Sequence, residues 1–190
     1  MKLRSLYHKG TGEGIFSVGR WIILWTGFLG LFHSRWKSLP FNYSHEELWI
    51  PDDKGFFHSP WVQVADKRIR YYGQCFSSTT RGDAEGVRFA PASEVLKHPE
   101  RWDYIEFEVD DEWWADYLDE MKQEVGKKYD FMGISGFILP FGQQDDNKWY
   151  CSEICCWVKN MLTVTSFDPP ISPRRSAMLL AKDWGEPKSL

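Results

Sequence analysis

Three of the four cysteines lie within six residues, in the stretch KWYCSEICCWVKN at residues 148–160. Cys151, Cys155 and Cys156 could bind a metal, form a disulfide, pack inside a helix or supply a nucleophile. A structural zinc site needs four ligands at usual spacings, and no Cys-x-x-Cys pair is present. Adjacent cysteines, and cysteines one helical turn apart, have poor disulfide geometry. We therefore expect free thiols, a reducing compartment and no metal or cofactor.

Cys151 is the candidate nucleophile because it immediately precedes a helix predicted over residues 152–161. A thiol at this position meets the positive end of the helix dipole and the unpaired N–H groups of the first turn, and both favour the thiolate. Cys155 and Cys156 lie inside the same helix and lack this advantage. We interpret these two residues as small buried apolar side chains.

A nucleophilic cysteine needs a base within hydrogen-bonding distance, and the base needs an orienting group. His45 lies on a strand predicted over residues 44–51, and Glu47 lies on the same face of that strand. The two side chains would be about 6–7 Å apart along the strand, so they would interact only through strand twist or a bridging water. The remaining histidines lie in loop-like contexts or near the N-terminus: His8, His33, His58 and His98.

The periodicity of the apolar residues predicts the elements that position these side chains. Strands are predicted at 44–51, 68–79, 87–91 and 102–109. Helices are predicted at 15–32, 110–126, 131–142, 152–161 and 176–183. Asp110 or Asp111 would cap the second helix and Gly126 would end it. This order of elements predicts an α+β domain.

Composition narrows the classes of partner. The 190 residues predict one domain over 1–190, and a net charge of −4 gives no global basic field for holding nucleic acid. The longest apolar run, residues 21–32, is shorter than the roughly 20 residues that cross a bilayer. We expect neither a signal peptide nor stable membrane insertion, although peripheral contact through this run stays open.

Five motifs, in order, resemble those of the circularly permuted papain-like hydrolases of the NlpC superfamily. YSHEEL resembles the histidine strand of that family, and WYCSEICCWV resembles its cysteine helix. GQCFSSTTRGDAEGVRF, RWDYIEFEV and GKKYDFMGISGF resemble three intervening segments. The resemblance covers residues 15–180 and places the histidine before the cysteine, as in permuted members.

The resemblance implies a central antiparallel sheet of about four to six strands, with the nucleophile at the N-terminus of a packed helix. Cys151 would be the nucleophile, His45 the base and Glu47 the orienting group. Three rivals for the third role stay open: Ser77, Ser78 and Asp83. Glu153 matches the family's Cys-Ser-Glu and is interpreted as a residue that stabilises the helix start.

The implied oxyanion site would use the N–H of Cys151. A second donor would come from Tyr43 or Tyr150, and Ser78 is a further candidate for contact with substrate. The sequence departs from the family pattern at residues 54–70, which we interpret as an insertion. The ends, 1–12 and 184–190, are expected to be flexible.

The implied activity is hydrolysis of an amide bond, in a peptide or a peptidoglycan fragment, through an acyl-enzyme. One alternative is an acyltransferase or a lipid ester or amide hydrolase on the same scaffold, with residues 21–32 in an acyl groove. Another is a phage structural or host-factor-binding protein that retains the fold. Because such sequences are common in bacteriophages and bacteria, we expect a cytoplasmic or virion location.

Overall fold

The computed structural model describes residues 1–9, 43–51, 62–64, 67–69, 71–80, 85–110, 112–135, 145, 147–168 and 171–190. The helix predicted at 15–32 and most of the insertion predicted at 54–70 lie outside these residues. His33, His58 and Asp83 also lie outside them.

The described elements comprise ten strands, five α-helices and one 3-10 turn. The strands are β1 Lys2–Lys9, β2 Tyr43–Ile50, β3 Val62–Val64, β4 Lys67–Ile69, β5 Gln74–Thr79, β6 Gly86–Pro91, β7 Trp102–Glu108, β8 Lys128–Tyr129, β9 Lys148–Trp149 and β10 Lys188–Ser189. The α-helices are α1 Ala92–Val95, α2 Trp114–Glu124, α3 Phe131–Ser135, α4 Cys151–Leu162 and α5 Pro173–Trp184. The 3-10 turn is Pro99–Arg101.

Six strands form an antiparallel sheet in the order β10-β7-β1-β2-β5-β6. The α+β class and the antiparallel sheet are therefore confirmed. The sheet has a buried cluster on each face, because successive side chains of a strand point to opposite sides. One cluster joins sheet residues such as Leu48 and Phe76 to Ile154 of α4 and Leu180 of α5. The other contains Leu6, Trp49, Cys75, Ala92 and Trp102, among others.

Strand β1 lies near the centre of the sheet, although the sequence predicted a flexible segment there. It pairs with β2 on one side and with β7 on the other. Its charged side chains Lys2 and Arg4 bond to the carboxylate of Glu106 on β7, each at 3.0 Å. At the other end of the chain, β10 pairs with β7.

Two predicted helix boundaries differ from the observed ones. Helix α2 begins at Trp114, because the Asp110 carboxylate accepts a hydrogen bond from the N–H of Glu112 and holds a turn before the helix. Helix α5 begins at Pro173, since Ser172 caps it by accepting a bond from the N–H of Arg175. None of the helices within the described ranges has the length and apolarity needed to span a membrane.

The predicted strand 68–79 is also divided in two. β4 ends at Ile69 and β5 begins at Gln74. Gly73 lies between them with a φ of 92°, a backbone conformation that favours glycine and turns the chain before β5.

Candidate active site

Strand β2 brings the predicted base and its carboxylate into direct contact. Nε2 of His45 lies 2.9 Å from Oε1 of Glu47, and both residues are buried. The expected gap between their side chains is therefore closed without a bridging group. The register between β1 and β2 is irregular here. His8 pairs with His45 and Lys9 pairs with Tyr43, so the register of β2 skips Ser44. Such an irregularity increases local twist, which is what the contact requires.

Arg88 of β6 holds the same carboxylate from its other side. Nη1 of Arg88 donates to Oε2 of Glu47 at 3.1 Å, and Nη2 donates to Oε1 at 2.8 Å. Burial alone would raise the pKa of Glu47, but the His45 bond and the Arg88 charge lower it to about 2. Glu47 is therefore ionised throughout the neutral range, and it offers the imidazole a fixed negative charge.

Cys151, the first residue of α4, interacts with the His45 ring. Burial alone would lower the pKa of His45, but the charge and hydrogen bond of Cys151, followed by those of Glu47, raise it to about 9. Because Nε2 bonds to Glu47, Nδ1 is the ring nitrogen that remains for a bond to the sulfur. The site is thus one connected series of side-chain contacts, which runs from Cys151 through His45 and Glu47 to Arg88. Cys151 comes from the second half of the sequence and the other three residues from the first half.

The start of α4 is fixed by contacts on several sides. The carboxylate of Glu153 accepts a hydrogen bond from the N–H of Tyr150 at 3.3 Å, which is the helix-start role predicted for it. Oγ of Ser78 on β5 donates to the carbonyl of Trp149 at 2.6 Å. Oγ of Ser152 donates to the carbonyl of Ile171 at 2.6 Å. These bonds hold the turn that carries Cys151 against the sheet.

The other predicted site residues have contacts of their own. The Tyr43 hydroxyl donates to Oδ2 of Asp103 at 3.0 Å, and the Tyr150 hydroxyl accepts from the N–H of Ile171 at 3.0 Å. Ser77, a rival for the third role, donates to the carbonyl of Glu46 at 2.7 Å. A role for Tyr43, Tyr150 or Ser78 in binding an oxyanion or substrate stays a prediction.

Three neighbours of the site were not identified from the sequence. Arg88 belongs to the Gly-Val-Arg part of a motif already noted, so its position carried a signal that was not used. His8 has its Nδ1 3.3 Å from Oγ of Ser44, and the Trp102 ring contacts both histidines, with centroids 5.0 Å from His8 and 6.3 Å from His45. Neither residue could be placed without the strand β1.

The four cysteines have different surroundings, and all are free. Burial raises the pKa of Cys75 and Cys155 well above the ordinary range, and that of Cys156 to about 12. These three thiols are therefore protonated at neutral pH and unsuited to nucleophilic attack. Among the described residues, no group of three or more histidine, cysteine or acidic side chains is arranged to hold a metal ion.

Comparison with models of known protein families finds no match to this chain, and comparisons with curated proteins and with solved structures find none either. The chemistry of the site therefore has to be inferred from its own geometry. A thiol beside an imidazole, which is itself held by an ionised carboxylate, can transfer a proton from sulfur to nitrogen and supply a thiolate nucleophile.

Proposed function

We propose that this chain is a cysteine hydrolase that cleaves an amide bond, with Cys151 as nucleophile and His45 as general base. The observation that carries the proposal is the position of the His45 ring, which interacts with both the Cys151 sulfur and the Glu47 carboxylate. The resemblance of the histidine and cysteine motifs to permuted papain-like hydrolases supports the same assignment.

The reaction begins from a thiolate–imidazolium pair, in which the proton of Cys151 has moved to Nδ1 of His45, and the thiolate attacks the carbonyl carbon of the substrate. A C–S bond forms, and the tetrahedral adduct collapses with cleavage of the C–N bond. The His45 imidazolium donates its proton to the departing amine, which leaves an acyl-enzyme. His45 then takes a proton from water, the hydroxide attacks the acyl carbon, and breakage of the C–S bond releases a carboxylic acid and restores the thiol.

Glu47 and Arg88 support this cycle without contacting the reacting bond. Glu47 accepts the Nε2 hydrogen of His45, which fixes the ring orientation and stabilises the imidazolium that forms at each proton transfer. The two bonds from Arg88 fix the carboxylate in turn. The substrate class we propose is a peptide or a peptidoglycan fragment, as the resemblance implies.

The experiment that tests the proposal measures thiol reactivity cysteine by cysteine. The protein is treated with iodoacetamide near neutral pH, and the modified cysteines are identified by peptide mass spectrometry. We expect Cys151 to react fastest, and we expect His45→Ala to slow its modification about 100-fold, since the base is lost. Turnover is then measured on a panel of peptides, peptidoglycan fragments and fatty-acyl esters, with Cys151→Ser as the inactive variant.

The matched control is His98→Ala, which removes an imidazole that is exposed and lies 3.4 Å from the carboxylate of Glu100. This variant should retain the wild-type rate at Cys151. Equal modification of all four thiols, or an unchanged rate at Cys151 in His45→Ala, would refute the assignment. Full biological activity of Cys151→Ser would instead favour a binding protein that retains the fold.

A further inference from the structure

A buried ion pair lies on the face of β2 opposite to His45 and Glu47. Nζ of Lys159 donates a hydrogen bond to Oε1 of Glu46, and both side chains are 0% exposed. Glu46 lies between His45 and Glu47 in sequence, whereas Lys159 belongs to α4, the helix that begins with Cys151. The pair therefore connects the strand that carries the base to the helix that carries the nucleophile.

The same oxygen of Glu46 accepts hydrogen bonds from two further elements. Oγ of Ser5 on β1 donates to Oε1 at 2.8 Å, and Oγ of Ser176 on α5 donates to it at 3.0 Å. Lys159 also bonds to Ser176, and its ammonium lies 4.6 Å from the centroid of the Phe167 ring. Strands β1 and β2 and helices α4 and α5 thus meet at a single carboxylate oxygen.

The main chain of Glu46 is held as well. Its carbonyl accepts a hydrogen bond from Oγ of Ser77 at 2.7 Å, and Sγ of Cys155 lies 3.7 Å from the same oxygen. Cys155 is one helical turn after Cys151. Helix α4 therefore contacts Glu46 at two positions one helical turn apart, through the thiol of Cys155 and the ammonium group of Lys159.

Stability alone does not account for such a pair. Removing two charges from water is costly, and replacing a buried ion pair by apolar residues of similar volume is often neutral or stabilising. What a pair of this kind specifies is one arrangement of the elements it joins. Here those elements are β2 and α4, whose relative position sets the distance between the Cys151 sulfur and the His45 ring.

The geometry of α4 transmits that restraint to the site. Lys159 follows Cys151 by eight residues, or about 12 Å along a helix axis. A helix of this length moves as a unit, so a shift at Lys159 is a shift at Cys151. Misplacement of a reacting group by about 1 Å can cost roughly 100-fold in rate.

We propose that Glu46 and Lys159 are a positioning pair, which fixes α4 against β2 so that the Cys151 sulfur stays in contact with the His45 ring. This inference rests on the proposed function, because it assigns the pair a role in that site. It predicts that the pair can be replaced with little loss of folding but with a clear loss of thiol reactivity.

The test uses the double variant Glu46→Gln with Lys159→Met. The Gln oxygen can still accept from Ser5 and Ser176, while its amide nitrogen takes the place of Oε2, which has no hydrogen-bond partner among the described residues. We expect a melting temperature close to that of the wild type. We expect the rate of iodoacetamide modification at Cys151 to fall about tenfold, with an altered dependence on pH.

The control is Asp119→Asn with Lys122→Met, which removes an exposed ion pair of 2.7 Å on α2. This control should leave both the rate and its pH profile unchanged. An unchanged rate and profile in the Glu46→Gln, Lys159→Met variant would overturn the positioning role. If that variant does not fold, Ser176→Ala decides, since it removes one donor and keeps the ion pair: a roughly threefold slower reaction is expected, and the wild-type rate would overturn the proposal.

Failure of the proposed function is distinguishable from failure of the pair. If His45→Ala reacts at Cys151 as fast as the wild type, the thiol does not depend on the imidazole, and both proposals are refuted. If His45→Ala is slow but the double variant is fast, the hydrolase assignment stands and only the positioning pair is refuted.

Discussion

Glu46 and Glu47 are consecutive residues of β2, yet their two carboxylates belong to different parts of the molecule. Both are buried, at 0% and 1% exposed. Glu47 bonds to a histidine and an arginine, whereas Glu46 bonds to a lysine and two serines. The alternation of a strand separates them, because successive side chains point to opposite faces of the sheet.

The two surroundings differ in their access to water and in the groups that titrate. The side chains around Glu47 retain some exposure, 18% for Arg88 and 9% for His45, whereas Lys159 has none. The Glu47 face also contains the imidazole, whose pKa of about 9 allows it to exchange a proton. If the two proposals hold, one face of β2 carries the groups that transfer a proton and the other face carries the group that positions α4.

The largest expected effect comes from the single substitution Lys159→Met, which removes the ion-pair partner of Glu46. This change leaves a carboxylate buried at 0% exposure without its counter-ion, so we expect a loss of about 3–5 kcal/mol in the free energy of unfolding. Arg88→Met should cost clearly less, because His45 still bonds to Glu47 and Arg88 is partly exposed. Urea unfolding of both variants measures the difference.

The control for this comparison is Lys122→Met, which removes one partner of an exposed pair and should leave the unfolding midpoint close to that of the wild type. If Lys159→Met and Arg88→Met were equally stable, the two faces would not differ as described. Adding Glu46→Gln to Lys159→Met should recover stability, since the uncompensated charge is then removed.

The sequence was informative where function depends on local pattern. The alternation of SHEELWIP, residues 44–51, predicted β2 and placed His45 and Glu47 on one face, and the predicted helix after Tyr150 placed Cys151 at its start. These features depend on neighbours within a few residues, and strand and helix periods are read directly from such neighbours. The α+β class followed from the same periods.

The sequence was uninformative where a side chain depends on a distant partner. The segment that contains Lys2 and Arg4 was predicted to be flexible, and the residue that pairs with both, Glu106, lies more than a hundred residues later in the sequence. Arg88 and Lys159 were likewise unassigned, because each gains its role only from the order of strands or the docking of a helix. Single-sequence periodicity contains neither of these relationships.

An intermediate effect should follow from substitution of Arg88, which contacts Glu47 on the face of β2 that carries His45. Arg88→Met removes both bonds that fix Glu47, so the carboxylate can turn away from Nε2 of His45. We expect iodoacetamide modification of Cys151 to slow about tenfold. Arg88→Lys should recover only part of the rate, because a lysine ammonium is a point charge and does not reproduce a two-oxygen contact. A wild-type rate in Arg88→Met would show that the His45–Glu47 contact alone is sufficient.

The smallest expected effect concerns the charge of the His45 imidazole as pH changes. The pKa of His45 is raised from 6.5 to about 9, so the imidazolium persists at neutral pH and is lost as pH rises through about 9. The contribution of this charge to stability is fully present below about pH 6.5 and is lost as pH rises through about 9. Glu47, with its pKa lowered to about 2, keeps its charge throughout this range.

The ratio of the iodoacetate rate to the iodoacetamide rate at Cys151 reports the imidazolium, because only iodoacetate is attracted by it. We expect this ratio to fall about threefold between roughly pH 8 and pH 10 in the wild type and to stay flat in His45→Gln, which has no charge to lose. A flat ratio in the wild type would mean that the sulfur reacts beside a neutral ring, and the two faces of β2 would then not differ in the way their partners imply.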